Sequence, residues 1–213
     1  MGLIAGDLEL DDILTGLAQE RPVFHSEADF QHSLAARFAR MRPTWRVRLE
    51  VPVRSGGRSS YVDVVVTDPD SSSTAIELKY FTGRLEVDVA GEAFMLREHA
   101  ASDLARLNFV RDIARLEASS SPSQNGIAVM LTNVASLWRP PTAAATTTRD
   151  RAYRIHEGVT MQGALAWGDG DFPANDLELA GRYEMNWRDY SHFDSPAADF
   201  RFLAVEVAPT SVP

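Results

Sequence analysis

Two runs of sequence decide how this chain folds: Tyr61-Val62-Asp63-Val64-Val65-Val66 and Thr74-Ala75-Ile76-Glu77-Leu78-Lys79-Tyr80-Phe81. Both are rich in β-branched and aromatic residues, and Asp68-Pro69-Asp70-Ser71-Ser72-Ser73 between them is turn chemistry. They read as two strands of a hairpin. Glu77 and Lys79 stand two apart on the second strand, so they project from the same face. Asp63 lies between two valines, where a charge is costly without a task or a partner. A hairpin folded about Asp70 sets Asp63 opposite Glu77, with both carboxylates on one face. A register slipped by one residue separates them.

Working outward, Arg46 to Val53 alternates apolar and polar residues and reads as a third strand, which makes an antiparallel meander with the other two. Before it, residues 26–41 read as a helix. Ser26 is placed to cap it, Asp29 completes a capping-box pattern, and Phe30, Leu34, Phe38 and Met41 form its buried stripe. Residues 8–19 read as a shorter helix. After the hairpin, residues 92–118 are helical in pattern. From Ser102 the apolar positions fall on two sides, Leu104, Leu107 and Val110 on one, Phe109, Ile113 and Leu116 on the other. A helix of that kind is packed from both sides, with Asn108, Arg111, Asp112 and Arg115 on the remaining strip. Gly126 to Leu131 reads as a short buried strand, residues 139–176 as a long excursion over or beside the site, and Phe200 to Val207 as a closing strand.

Composition narrows the function classes. Hydrophobic residues make up 45% and charged residues 24% of the 213, ordinary for a folded chain with a substantial core. The absence of cysteine removes disulfides, thiolate metal sites and thiol nucleophiles together. No apolar run approaches membrane-spanning length, and Met1 to Leu10 lacks the basic start and apolar run of a signal peptide. A cytoplasmic address is the expectation. The net charge of −9 is uneven: residues 1–30 carry −6, residues 31–120 carry +1 and residues 121–213 carry −4. No segment is basic enough for tight nonspecific binding to a polyanion, so contacts with DNA are expected to be local and salt-sensitive.

Lys79 is the only lysine among 21 basic residues. Arginine serves for surface charge elsewhere, but it cannot supply the compact ammonium that lysine brings to chemistry. Chance retention of one surface lysine is the plain alternative. Glu27 falls within the apolar stripe of its helix, near Leu34, and so points toward the sheet. It reads either as a fourth member of the site or as a first-turn glutamate favoured by the helix dipole.

Taken in order, Glu27 on a helix, Asp63 on the second strand and Glu77-Leu78-Lys79 on the third resemble the PD-(D/E)XK nuclease superfamily. Val62 stands where the family's name has proline. The resemblance covers about residues 24–133. It implies an α/β fold with a restriction-endonuclease-like core, a mixed central β-sheet flanked by α-helices, and the whole chain reads as a single domain spanning 1–213. Residues 177–213 are then a C-terminal extension with a closing strand. It further implies hydrolysis of DNA phosphodiester bonds with Mg²⁺, for which Mn²⁺ can substitute. Asp63 and Glu77 would be metal ligands, Lys79 would position or activate water, and Glu27 would be a further catalytic residue. A homodimer would supply two sites for the two strands of a duplex.

Other readings stay open. Arg58 and Arg84 flank the site in loops, and Arg111 and Arg115 lie on the long helix. Each is a weak candidate for contact with nucleic acid. Surface charge, or pairing with Asp112 and Glu117, accounts for them at least as well. A nuclease-like fold that binds without cutting, or a structural ion pair between Glu77 and Lys79, also accommodates the motif. His25 is near Glu27 in sequence, but the five histidines show no metal-ligand spacing. Asp169-Gly170-Asp171 reads as a turn, because position 180 is alanine where a calcium loop needs glutamate. Trp187 and Tyr190 read as core anchors. No P-loop, dinucleotide fingerprint or Gly-x-Ser-x-Gly elbow is present.

Overall fold

Strands β1 (Arg46–Ser55), β2 (Arg58–Thr67) and β3 (Ser73–Phe81) form the expected antiparallel meander. The computed structural model describes residues 2–55, 58–119, 121, 124–141, 148–194 and 198–208, the side chains of residues 54–59 excepted. The turn between β2 and β3 is fixed by Asp68, whose Oδ1 accepts from the Ser72 N–H at 2.8 Å. Ser71 takes a positive φ of 73° there. The pairing runs from Thr67↔Ser73 to Val64↔Ile76, the register centred on Asp70 that the sequence predicts.

Two helices precede the meander, α1 (Leu10–Glu20) and α2 (Glu27–Met41). Ser26 caps α2, its Oγ accepting from the Asp29 N–H at 3.2 Å. Phe30, Leu34 and Phe38 of α2 are fully buried, with Leu10, Ile13, Leu14 and Leu17 of α1, against one face of the sheet.

Residues 92–101 do not continue the helix as their pattern suggests. β4 (Leu85–Val89) and β5 (Glu92–Leu96) form a hairpin turned by Ala90 and Gly91, at φ 51° and 85°. The period there is two, with Phe94 and Leu96 buried and Ala93 and Met95 exposed. The helix α3 begins at Ser102 and runs to Ser119. It is buried along Leu107, Phe109, Val110, Ile113 and Leu116, whereas Leu104, expected inside, is 43% exposed.

α3 carries the chain across to β6 (Gln124–Thr132), which pairs parallel to β3. Parallel neighbours require such a crossover. Gly126 of β6 permits the helix to sit close, since a Cβ there would lie 2.9 Å from Leu116 Cβ.

The excursion is better organised than its Pro-, Ala- and Thr-rich start implied. β7 (Thr160–Leu165) and β8 (Leu177–Glu184) form a hairpin that crosses the expected boundary at 176. It packs along α3: the Glu117 carboxylate accepts from the N–H groups of Ala180 and Gly181 and from the Tyr183 hydroxyl. With Tyr153 and Trp167 it covers the second core of the molecule. The Gly168–Asp169–Gly170 turn holds three successive positive φ angles. β9 (Trp187–Ser191) and β10 (Phe200–Val207) then complete a six-stranded mixed sheet of order β9-β10-β6-β3-β2-β1. Trp187 and Tyr190 are buried as anchors, and the Tyr190 hydroxyl and Ser191 Oγ donate to the carbonyls of Arg21 and Pro22. No helix among the described residues is long and apolar enough to cross a membrane.

Candidate active site

The meander bends at one point, and the point is Asp63. Leu49↔Val64 and Val51↔Val62 are paired, while Glu50 between them adopts φ 51°. Residues two apart on a regular strand share a face. Here Val64 and Leu49 pack against the α2 side, but Val62 and Val53 pack against the α3 side. The hairpin has turned over at Glu50 and Asp63 without a shift of register.

The β2–β3 ladder ends at Val64↔Ile76. Beyond it, two carboxylates meet β3 in place of the ladder. Asp63 Oδ2 accepts from the Leu78 N–H at 2.6 Å, and Glu27 Oε2 accepts from the Tyr80 N–H at 2.8 Å. Asp63 therefore points into the gap between the strands rather than straight off the face that carries Glu77. Glu27 as a residue is exposed, yet its carboxylate reaches inward, and burial of that end raises its pKa.

Glu77 and Lys79 look toward α3, which answers with Asp112 and Arg115. Arg115 Nη2 bridges Glu77 Oε2 and Asp112 Oδ1, 2.7 Å from each. Lys79 Nζ is 3.0 Å from Asp112 Oδ2 and donates to the Leu78 carbonyl at 2.9 Å. Glu77 is 2% exposed. Burial, then the neighbouring Asp112 charge, push its pKa up to about 8, with Arg115 opposing. Burial by itself would lower the Lys79 pKa, but the charges of Asp112, Glu27 and Asp63 outweigh it, and the net direction is up. Lys79 is consequently an ammonium at neutral pH.

Glu27, Glu77 and Lys79 thus each feel the charges of Asp63 and Asp112. Two more belong with them. Asp112, assigned from sequence to a polar strip, is 3% exposed. Its signal was present: it stands three residues after Phe109 and four before Leu116, inside the apolar pattern of α3. Arg115 takes the ion-pairing alternative rather than an open surface.

No family model, curated protein or solved structure matches this chain.

The remaining candidates lie apart from the cluster. Arg111 donates to Asn175 Oδ1 at 2.6 Å and so ties α3 to the excursion. Arg84 is exposed and pairs with Glu86. The Arg58 side chain lies outside the described residues. His25 stacks on Phe94 and meets Glu92, on the β4–β5 hairpin.

A cavity of about 300 Å³ opens beside Glu27 and Lys79, lined also by Leu104 and Asn108. It shares Phe81, His99, Ala100 and Ala101 with a larger one of about 670 Å³. Among the described residues no three histidine, cysteine, aspartate or glutamate side chains are grouped to hold a metal ion. A hard dication such as Mg²⁺ needs fewer, typically one or two carboxylates with water and substrate oxygens. Glu27, Asp63, Glu77 and Asp112 set against Lys79 and Arg115 leave two formal negative charges when all are ionised. The hard oxygen donors suit a divalent cation, whose charge would favour the ionised Glu77 that burial disfavours.

Proposed function

We propose that this chain is a metal-dependent nuclease that hydrolyses phosphodiester bonds of DNA, on a restriction-endonuclease-like core of the PD-(D/E)XK kind. The observation that supports this reading is that Asp63 and Glu27 reach the backbone of β3 beside Glu77 and Lys79, where β2 parts from β3, close enough for the Asp63 charge to act on both. Asp63 and Glu77 are the residues that would hold Mg²⁺ or Mn²⁺. Such an ion, when bound, polarises the phosphate and lowers the pKa of a bound water. Lys79 is suited to act as a fixed positive charge and donor toward the attacking water or the developing oxyanion. Being protonated, it is not suited to take a proton. Glu27 holds β3 in place through the Tyr80 N–H and adds negative charge at the mouth of the cavity.

Purified protein with Mg²⁺ or Mn²⁺ should cut DNA, and Lys79→Ala should abolish cutting while circular dichroism stays unchanged. Equal cutting by both proteins would remove the proposal.

One observation favours a second reading. Arg115 sits on Glu77 and Lys79 sits on Asp112, so the cluster neutralises much of itself. This is the pattern of a nuclease-like fold that binds or interacts without cutting. Mn²⁺ titration separates the two, because a cutting site binds Mn²⁺ and weakens in Asp63→Asn.

A further inference from the structure

Asp63 owes its position to a backbone distortion, and one buried amide stands at the centre of that distortion. Gln31 of α2 is 7% exposed. Its Nε2 donates to the Asp63 carbonyl at 2.7 Å and to Glu50 Oε1 at 2.8 Å. A side-chain amide has two donors on one nitrogen, and here both are used. The two acceptors are the residues at which the hairpin turns over, and they face each other in the register of Leu49↔Val64 and Val51↔Val62. Glu50 carries a positive φ, which a non-glycine residue holds only when its surroundings impose it.

We infer that Gln31 is a positioning residue that clamps the Glu50–Asp63 bend and so aims the Asp63 carboxylate at the site. In a regular ladder the Asp63 carbonyl bonds to a neighbouring strand and its side chain projects from a sheet face. Here Gln31 donates to that carbonyl from α2. Asp63 turns its carboxylate into the β2–β3 gap, where Oδ2 reaches the Leu78 N–H. The same amide holds Glu50 through its side chain, so both halves of the bend are fixed from one point on α2. Glu27, one helical turn earlier, brings the second carboxylate to the same edge of β3. A single helix thereby sets the spacing of two acids along one strand.

The inference takes Asp63 to be the ligand proposed above, and its test keeps the two ideas apart. Gln31→Leu keeps the bulk and removes both donors. Hydrogen exchange at the Leu78 amide needs no metal and reads the Asp63 contact directly. In Gln31→Leu its protection should fall at least tenfold, while the Ile76 amide in the intact ladder keeps its protection. Mn²⁺ affinity should weaken by a similar factor in Gln31→Leu, and the same substitution should change nothing further on an Asp63→Asn background. Unchanged Leu78 protection overturns the inference. So does an equal loss of Mn²⁺ affinity with and without Asp63, since that marks a general structural effect. If wild-type protein binds no Mn²⁺ while Leu78 behaves as expected, the clamp stands and the nuclease proposal falls.

Discussion

Lys79 Nζ stands 3.0 Å from Asp112 Oδ2, so the sole lysine of the chain is held from helix α3 as well as from the Leu78 carbonyl of its own strand. Asp112 in turn is gripped by Arg115, which also holds Glu77. Four charged groups on two elements form one chain of contacts, and each has consequences that can be measured.

Asp112→Asn removes the main charge that keeps the Lys79 ammonium in place. On the nuclease proposal, cleavage of DNA is expected to fall about 10- to 100-fold, the usual effect of losing a residue that orients an active group. Far-ultraviolet circular dichroism should not change. Wild-type cleavage rates in the variant would show that Lys79 needs no anchor.

Glu77 gives a pH dependence. Its folded pKa of about 8 lies above the ordinary value of 4.5. A group shifted up binds its proton more tightly in the folded state, so its contribution to stability is full below about pH 4.5 and is lost as pH rises through 8. In EDTA, wild type should therefore lose stability between those values, and Glu77→Gln should lose less. At pH 8.5 the variant should melt higher by roughly 2–8 °C, equivalent to ~1–2 kcal/mol for a chain of this size. Parallel melting curves across the range would contradict the assignment.

Gly126→Ala tests the close contact of α3 with β6. The added Cβ meets Leu116 Cβ, which cannot swing aside as a side-chain tip can. Overpacking of this kind costs about 1–3 kcal/mol. Urea unfolding should show the loss. Because the same helix carries Asp112, cleavage should drop as well.

Arg106 and Asp150 form a buried pair, 5% and 4% exposed at their side chains, that joins α3 to the excursion. Arg106 also donates to the Ser136 carbonyl. Arg106→Met leaves Asp150 with a hydrogen bond from Thr148 and the more distant Arg154, at 3.5 Å. Removing one partner of a buried pair costs about 3–5 kcal/mol, and this site should fall toward the lower end. A loss below 1 kcal/mol in chemical denaturation would show that this pair does not hold the excursion to α3.

Much of the central sheet was legible because its signals are local. The Asp68–Ser73 turn formers set the register about Asp70, and alternation marked β1. The acids and the lysine could be found because a charge among valines, or within an apolar stripe, stands out. Asp112 was harder. Its neighbours Asn108, Arg111 and Arg115 make a polar strip, and polarity alone does not tell a solvated strip from one buried by ion pairs. The β4–β5 hairpin was hidden by its turn, since Ala90 is not a residue that announces a positive φ. The β7–β8 layer was hidden by the irregular stretch before it. The inversion of the hairpin at Glu50 and Asp63 has no sequence signature, because Gln31, which holds it, comes from another element.

The linker before α2 has its carbonyls at Arg21 and Pro22 clasped by Tyr190 and Ser191, 169 residues further on. During synthesis, then, the helix bearing Glu27 and Gln31 leaves the ribosome long before the strand that fastens it. A nascent chain of 180 residues has every acid of the site but no latch on that helix. On the nuclease proposal, cleavage by such ribosome-bound intermediates should be weak, so the site would stay unarmed until the C-terminal strands are in place.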